Sequence, residues 1–252
     1  METGELGEFR FGSLTVYYRK GSEDEKVLAH SFDNDIYFRE VPSFRPRRQP
    51  VIVDVGAHIG TFSLLANVKY PNSRIYALEA SKDTFEILKR NVEVNGLDIK
   101  VMHNALLDKA GKVWLHHNTD SGNWSHSITK AFGGHSEEVD GTTLERLFSD
   151  YNIDFIDLVK FNCEGSEFSI LMKTPKSLLN KIGLGLILYH EDLADKGYRL
   201  RDLMNLFDGK SFRILHIPKS NHRGWLIVWN RGRYTRLYFL LSAFYRRLGF
   251  KF

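Results

Sequence analysis

The sequence predicts an α/β protein: a doubly wound, mostly parallel sheet of seven strands, with a small N-terminal β extension and a C-terminal helical tail. Three observations point there. Val51–Val55 (VIVDV) sets four β-branched residues around one acid, as in a strand buried on both faces. A glycine turn follows it and leads into an amphipathic helix over 61–68. From there strand-like and helix-like segments alternate regularly, which argues for parallel strands joined by crossover helices.

Each element has its own signal. Residues 8–40 hold two aromatic and β-branched runs, FRFGSLTVYYRK and DIYFREV, read as short strands on either side of an acidic turn at 21–26. SFRPRRQP then breaks the pattern with two prolines. RIYALE (74–79) is the second strand of the main series. Residues 81–95 form a helix with Phe85, Leu88 and Val92 on one face, Ser81 as N-cap and Gly96 as its stop. A third strand spans 99–103, with an added one at 112–116 after the turn 108–111. A helix at 143–151 precedes a fourth buried strand, 154–161. A helix at 166–173, a fifth strand at 184–189 and a helix at 200–207 follow. Strands at 212–217 and 225–229 close the series as an antiparallel pair.

The 252 residues accommodate three parts: an extension (1–48), a main domain (49–230) and a tail (231–252). Composition is that of a soluble globular enzyme, at 42% hydrophobic and 26% charged. The acidic start resembles no secretory signal, and no segment reaches the length of a membrane span. Cys163 is the single cysteine, so no internal disulfide can form, which suits a reducing, cytoplasmic setting. The formal charge of +4 is a property of the tail, whose six basic residues meet no acid. The remaining 29 basic residues face 31 acidic ones, so nucleic-acid binding is not expected of the body.

The glycine turn carries the first functional signal. Dinucleotide-binding folds use G-x-G-x-x-G. Here the pattern is D-x-G-x-x-x-G, from Asp54 through Gly56 to Gly60, with His58 where the middle glycine would stand. Close approach of a pyrophosphate is then disfavoured, and a ligand with an adenosine but no diphosphate fits better: S-adenosylmethionine. An antiparallel pair at the end of the strand series agrees with a methyltransferase sheet.

Ligands of such sheets lie beyond the carboxyl ends of the strands. The expected donor-binding residues are Asp54, Gly56, Ala57, His58, Gly60 and Thr61 after the first strand, and Glu79 and Ala80 after the second. Asn104 and Ala105 after the third and Asn162 after the fourth complete the set. Glu79 suits the two hydroxyls of a ribose, and Asn104 an adenine edge. The fourth strand ends in Asn162-Cys163-Glu164-Gly165 and the fifth in His190-Glu191-Asp192. Residues 116–141, long and polar with Trp124 and four histidines, are expected to form a lid over the acceptor. The histidines lack the spacing of a metal site, and none is expected. The tail places Leu237, Leu240, Leu241, Phe244 and Leu248 on one helical face. Its candidate roles over residues 234–252 are packing on its own domain, a dimer contact or peripheral membrane association.

Five segments together resemble the FkbM family of S-adenosylmethionine-dependent methyltransferases: VIVDVGAHIGTFSLLA, ALEASKDTFEILKRNVEVNGL, NALLDKAGKV, VDGTTLERLF and IDLVKFNCEGSEFSIL. The resemblance covers roughly residues 50–173. It implies a Rossmann-like class I methyltransferase sheet and O-methylation of a sugar or secondary metabolite. It also puts Lys160, Glu164 and Glu167 in the motif after the fourth strand. The chain departs from the family pattern at Asn162, where an aspartate is usual. An amide cannot take a proton or strongly bind a hard cation, so neither a general base nor a metal is expected at that position.

Methyl transfer to oxygen needs an aligned acceptor and a base. The candidates are His190, His126 and Glu164, with His190 preferred. Two rival readings stand beside this one: a degenerate module that binds the donor without catalysis, which Asn162 favours, and a nicotinamide-dependent oxidoreductase.

Overall fold

A computed structural model describes residues 5–39, 44, 46, 48–117, 126–131, 135–207 and 209–233. The chain starts with a hairpin, β1 (Leu6–Phe11) and β2 (Leu14–Arg19), followed by α1 (Asp24–Leu28) and one π-helical turn, Ala29–Asp33. The main series runs β3 (Val51–Val55), α2 (Thr61–Lys69), β4 (Arg74–Glu79), α3 (Lys82–Val94) and β5 (Ile99–His103). Four strands form a side sheet: β6 (Ala105–Leu106), β7 (Gly111–His117), β8 (His126–Ser127) and β9 (Ser136–Thr142). Then come α4 (Leu144–Asp150), β10 (Ile156–Phe161), α5 (Ser166–Lys173), α6 (Lys176–Leu179) and β11 (Ile182–His190). Last are α7 (Leu200–Leu206), β12 (Phe212–Pro218) and β13 (Arg223–Asn230).

The central sheet has seven strands in the order β12-β13-β11-β10-β3-β4-β5. It is mixed rather than simply parallel. Its four pairings from β11 to β5 are parallel, and the two that β13 makes are antiparallel. Alternate residues of each strand feed cores on opposite faces, as the period of two requires. Val51, Val53 and Val55 join Leu147, Phe168 and Leu203 of α4, α5 and α7 on one face, while Ile52 joins Phe62 and Leu88 of α2 and α3 on the other.

The N-terminal hairpin docks on α3 through two amides that stand in for a third strand. Asn91 Oδ1 accepts the Tyr17 N–H at 2.6 Å, and its Nδ2 donates to the Tyr17 and Ile59 carbonyls at 3.0 and 2.8 Å. Asn95 treats Thr15 in the same way. An ionic clamp adds to this: Arg19 holds the buried Asp24 with both its Nε and Nη2, donates to Thr84 Oγ1 on α3, and lies beside His58.

Three expected elements differ. The acidic turn expected at 21–26 passes into helix at Asp24, the first residue of α1. Ile36–Phe38, expected as strand, lies in a turn that the Asp35 carboxylate caps through the Phe38 N–H. Its aromatic residues pack instead of pairing. The Phe38 ring stacks on Phe62 at 5.6 Å, and Tyr37 meets Phe62 edge-on at 5.1 Å. Conversely, part of the expected lid is strand. β9 (Ser136–Thr142), almost all of it within the polar segment 116–141, pairs with both β7 and β6, its carboxylates reaching Lys112 and His117 on β7. Trp124 and the tail segment 234–252 lie outside the described residues. No helix among the described residues is long and apolar enough to cross a membrane.

Candidate active site

At the carboxyl ends of β3, β4 and β10 lies a cavity of about 210 Å³. Its floor begins with a buried ion pair. Lys160 and Asp54 are register partners on adjacent parallel strands, and both point toward α2. Lys160 Nζ donates to Asp54 Oδ1 at 3.0 Å and to the Gly56 carbonyl at 2.5 Å, while Ser63 Oγ donates to Asp54 Oδ2 at 2.7 Å. Burial depresses the ammonium pKa, but Asp54, Tyr37 and Glu79, with Asp54 foremost, together outweigh it and Lys160 stays raised. The pair shapes the glycine turn from beneath. Gly56 has φ +70°, and a Cβ there would overlap the Asn162 carbonyl, so the two strand ends meet with no room for a side chain.

Glu79 ends β4 and forms the next wall. Its Oε2 accepts the His58 N–H at 2.7 Å and its Oε1 the Ser81 N–H at 2.9 Å. Burial raises its pKa, which those donors and Lys160 offset only in part. Each oxygen, with one backbone donor, keeps capacity to accept another hydrogen bond, and the side chain lines the cavity. His58, Ala57, Ala80, Asn104 and Ala105 also line the space. Asn104 spends its amide N–H on the Asp140 carbonyl, 3.1 Å away.

The turn after β10 places a non-glycine residue in the left-handed region beside a glycine. Glu164 takes φ +49° and Gly165 φ +99° in succession, and a Cβ on Gly165 would strike the Leu193 backbone. Glu167, in the first turn of α5, holds this turn together. Its carboxylate accepts the N–H groups of Gly165 at 3.1 Å and His190 at 2.6 Å, and the Cys163 thiol at 3.4 Å. The His190 ring lies between two acids, with Nδ1 3.2 Å from Glu167 and Nε2 3.5 Å from Glu164. Burial favours neutral imidazole, but the two carboxylates prevail and raise the His190 pKa. Burial raises Glu164, against the pull of His190, whereas Glu167 ends lowered because His190 overcomes its burial.

Three buried polar atoms on this cavity have no hydrogen-bond partner among the described residues: Asn162 Oδ1, Glu164 Oε2 and His126 Nδ1. Orphaned buried polar atoms are costly, and their convergence on one cavity marks a ligand position. Burial, then the neighbouring His117, lowers the His126 pKa to about 3, so its ring is neutral.

The expected residues thus divide. Gly56, Ala57, His58, Glu79, Ala80, Asn104, Ala105, His126, Asn162 and Glu164 line the cavity. Asp54, Gly60, Thr61 and His190 do not. Asp54 faces away into its ion pair, and Thr61 is 1% exposed and accepts from Ser31. Gly60 packs against Leu88, and His190 stands behind Glu164. Sequence reasoning missed the opposite wall. Ser31, Ile36 and Tyr37 arrive from the N-terminal segment, and Lys219 and Trp225 from the β12–β13 hairpin. Nothing local marks them, because only the fold carries them to the cavity. Among the described residues, no group of three or more His, Cys, Asp or Glu could hold a metal.

The methyltransferase FkbM domain family matches residues 54–213. Methyltransferase sdnD of Sordaria araneosa is 28% identical over 192 residues, spanning 63% of this chain and 71% of that protein. The 31-O-demethyl-FK506 methyltransferase FkbM of Streptomyces tacrolimicus is 30% identical over 97 residues, 38% of this chain and 36% of its own length. Among solved structures, M. capricolum TrmK bound to S-adenosylhomocysteine covers 79% of this chain and 70% of that one, at 16% identity and a TM-score of 0.46. A likeness at that score carries no functional inference.

Proposed function

The chain belongs to the FkbM methyltransferase family, and from that premise we propose that it methylates a hydroxyl group of a small molecule, a sugar or secondary metabolite, with Glu164 as the general base. S-adenosylmethionine is the methyl donor, and when bound it supplies an electrophilic methyl group on a sulfonium. The observation that carries the reading is the orphaned carboxylate oxygen of Glu164, buried in the same cavity as Glu79.

The residues divide the work. Glu79 receives the ribose hydroxyls, and the bare backbone of Gly56 and Ala57 lets the donor approach the sheet. Asn162 Oδ1 would accept a hydrogen bond from the donor's ammonium group, a neutral acceptor weaker than the carboxylate usual at that position. Glu164 would accept the acceptor's hydroxyl proton as the C–O bond forms and the methyl C–S bond breaks, its electron pair staying on the sulfur of S-adenosylhomocysteine, and would return the proton to solvent with product release. Its raised pKa makes it a stronger base than an exposed carboxylate. His190 touches no ligand. It is a positioning residue that fixes the Glu164 carboxylate and keeps it ionised. His126, neutral and facing the cavity, orients the acceptor hydroxyl.

The family match removes the nicotinamide reading. The donor-binding module without catalysis is tested directly by titrating the chain with S-adenosylhomocysteine and following tritium from labelled donor into a panel of hydroxylated acceptors. Donor-product binding with label transfer supports an O-methyltransferase. Binding with no transfer to any acceptor supports the module.

A further inference from the structure

One corner of the cavity has a chemistry that methyl transfer alone does not require. Leu188 and Trp225 are register partners on β11 and β13. The Tyr37 ring meets the Trp225 ring edge-on at 6.3 Å, and Lys219 Nζ sits 5.6 Å from the Trp225 centroid. All four residues line the cavity, so three apolar walls are closed by one cation.

That cation, on a residue whose far side is open to solvent, has no carboxylate partner among the described residues. Burial and the nearby Arg39 charge both lower the Lys219 pKa, and no carboxylate among the described residues acts in the opposite direction. The other lysine of the cavity, Lys160, is neutralised by Asp54 at 3.0 Å. The carboxylates that line the same cavity, Glu79 and Glu164, stand at the strand ends of β4 and β10. The space is therefore polarised, with acids at the donor side and, over an aromatic ring elsewhere on its wall, a cation that no carboxylate among the described residues pairs.

We propose that the acceptor is an acid: a hydroxylated molecule with a ring or other apolar body whose carboxylate pairs with Lys219. The inference rests on the reading that this cavity seats the acceptor. The body packs on Tyr37, Leu188 and Trp225. The carboxylate relieves the repulsion between Lys219 and Arg39, and Glu164 repels it. Charge alone then orients the molecule, hydroxyl toward Glu164 and acid toward Lys219. Specificity follows from the wrong orientation as much as from the right one, because a reversed acceptor would set carboxylate against carboxylate.

The test titrates the full chain, alone and with S-adenosylhomocysteine, with 4-hydroxybenzoate and with its uncharged analogue 4-hydroxybenzamide. The acid is expected to bind about three- to fivefold tighter than the amide, the scale of a partly exposed ion pair. Lys219→Gln should bring the acid down to the amide, and Lys219→Glu should place it below. Equal affinities in the wild type, a preference that survives Lys219→Gln, or no binding of either compound would overturn the proposal. The S-adenosylhomocysteine titration of the same protein decides the methyltransferase reading separately, since the acid-to-amide ratio is also measured without it.

Discussion

Lys160 and Asp54 face each other across two parallel strands, their charged atoms 3.0 Å apart and neither residue more than 2% exposed. Asp54 does not line the cavity, and Lys160, which does, spends its charge on Asp54. Through the Gly56 carbonyl, however, the lysine sets the shape of the turn against which the donor lies. A buried pair of this kind adds little net stability but is costly to break.

Removing one partner should therefore be expensive. Lys160→Met leaves Asp54 as an uncompensated buried charge, and we expect a loss of about 3–5 kcal/mol in urea unfolding. The double variant Asp54→Leu/Lys160→Met should recover much of it. A single variant within about 0.5 kcal/mol of wild type would remove the ion pair from this role.

Glu164→Gln keeps the shape of the side chain and removes the base. Turnover should fall by about 10²- to 10⁴-fold, while affinity for S-adenosylhomocysteine stays within about twofold. In the wild type, the rate should fall on acidification at a pH above the ordinary carboxylate range, because burial raises the Glu164 pKa. A Glu164→Gln enzyme with wild-type turnover would exclude it as the base.

His190 lowers the pKa of Glu164, so its removal should displace that acid limb further upward. His190→Asn should show its rate loss mainly at low pH and recover part of it at high pH. Stability changes in the opposite sense. The folded His190 pKa is raised, so its contribution is complete below the unfolded imidazole value of about 6.5 and is lost as pH rises through the folded value. Thermal melts across that window should show wild type losing more stability than His190→Asn. Parallel curves would count against a protonated His190.

Glu79→Gln retains one acceptor oxygen and loses the charge. Calorimetric affinity for S-adenosylhomocysteine should drop by about tenfold. An unchanged dissociation constant would separate Glu79 from ribose binding.

Asn91→Ala leaves the N–H and C=O of Tyr17 without their partner on α3. The expected cost is about 1–3 kcal/mol, with faster proteolysis in the hairpin than in the main sheet. Identical digestion patterns for variant and wild type would show that the amide does not hold the hairpin.

Much of this arrangement is legible in the chain. The strands around Val53, Ile75 and Val159 are mostly apolar, with few charged interruptions, because both faces of the sheet are covered. Such runs, with glycine turns between them, announce themselves locally. Glu79 and Asn162 could be named as site residues because one ends such a strand and the other directly follows one. The side-sheet strand at 136–142 escaped detection because its pairing depends on charges supplied by β7, outside any local window. Asp54 has the right position for a ligand contact but the wrong face, since strand alternation turns it toward α2 and Lys160.

By itself, the sequence determined the alternating architecture, the glycine turn and the family, all properties of short segments whose periodicity and spacing are written in the chain. Only the tertiary structure decided which polar groups remain available. Asp54, Thr61 and His190 look equivalent to Glu79 and Glu164 in one dimension, but their bonding capacity is spent on neighbours far away in sequence. The structure also brought Tyr37 and Lys219 to the cavity from distant parts of the chain. Availability of a polar atom depends on what surrounds it, and those surroundings exist only once the chain has folded.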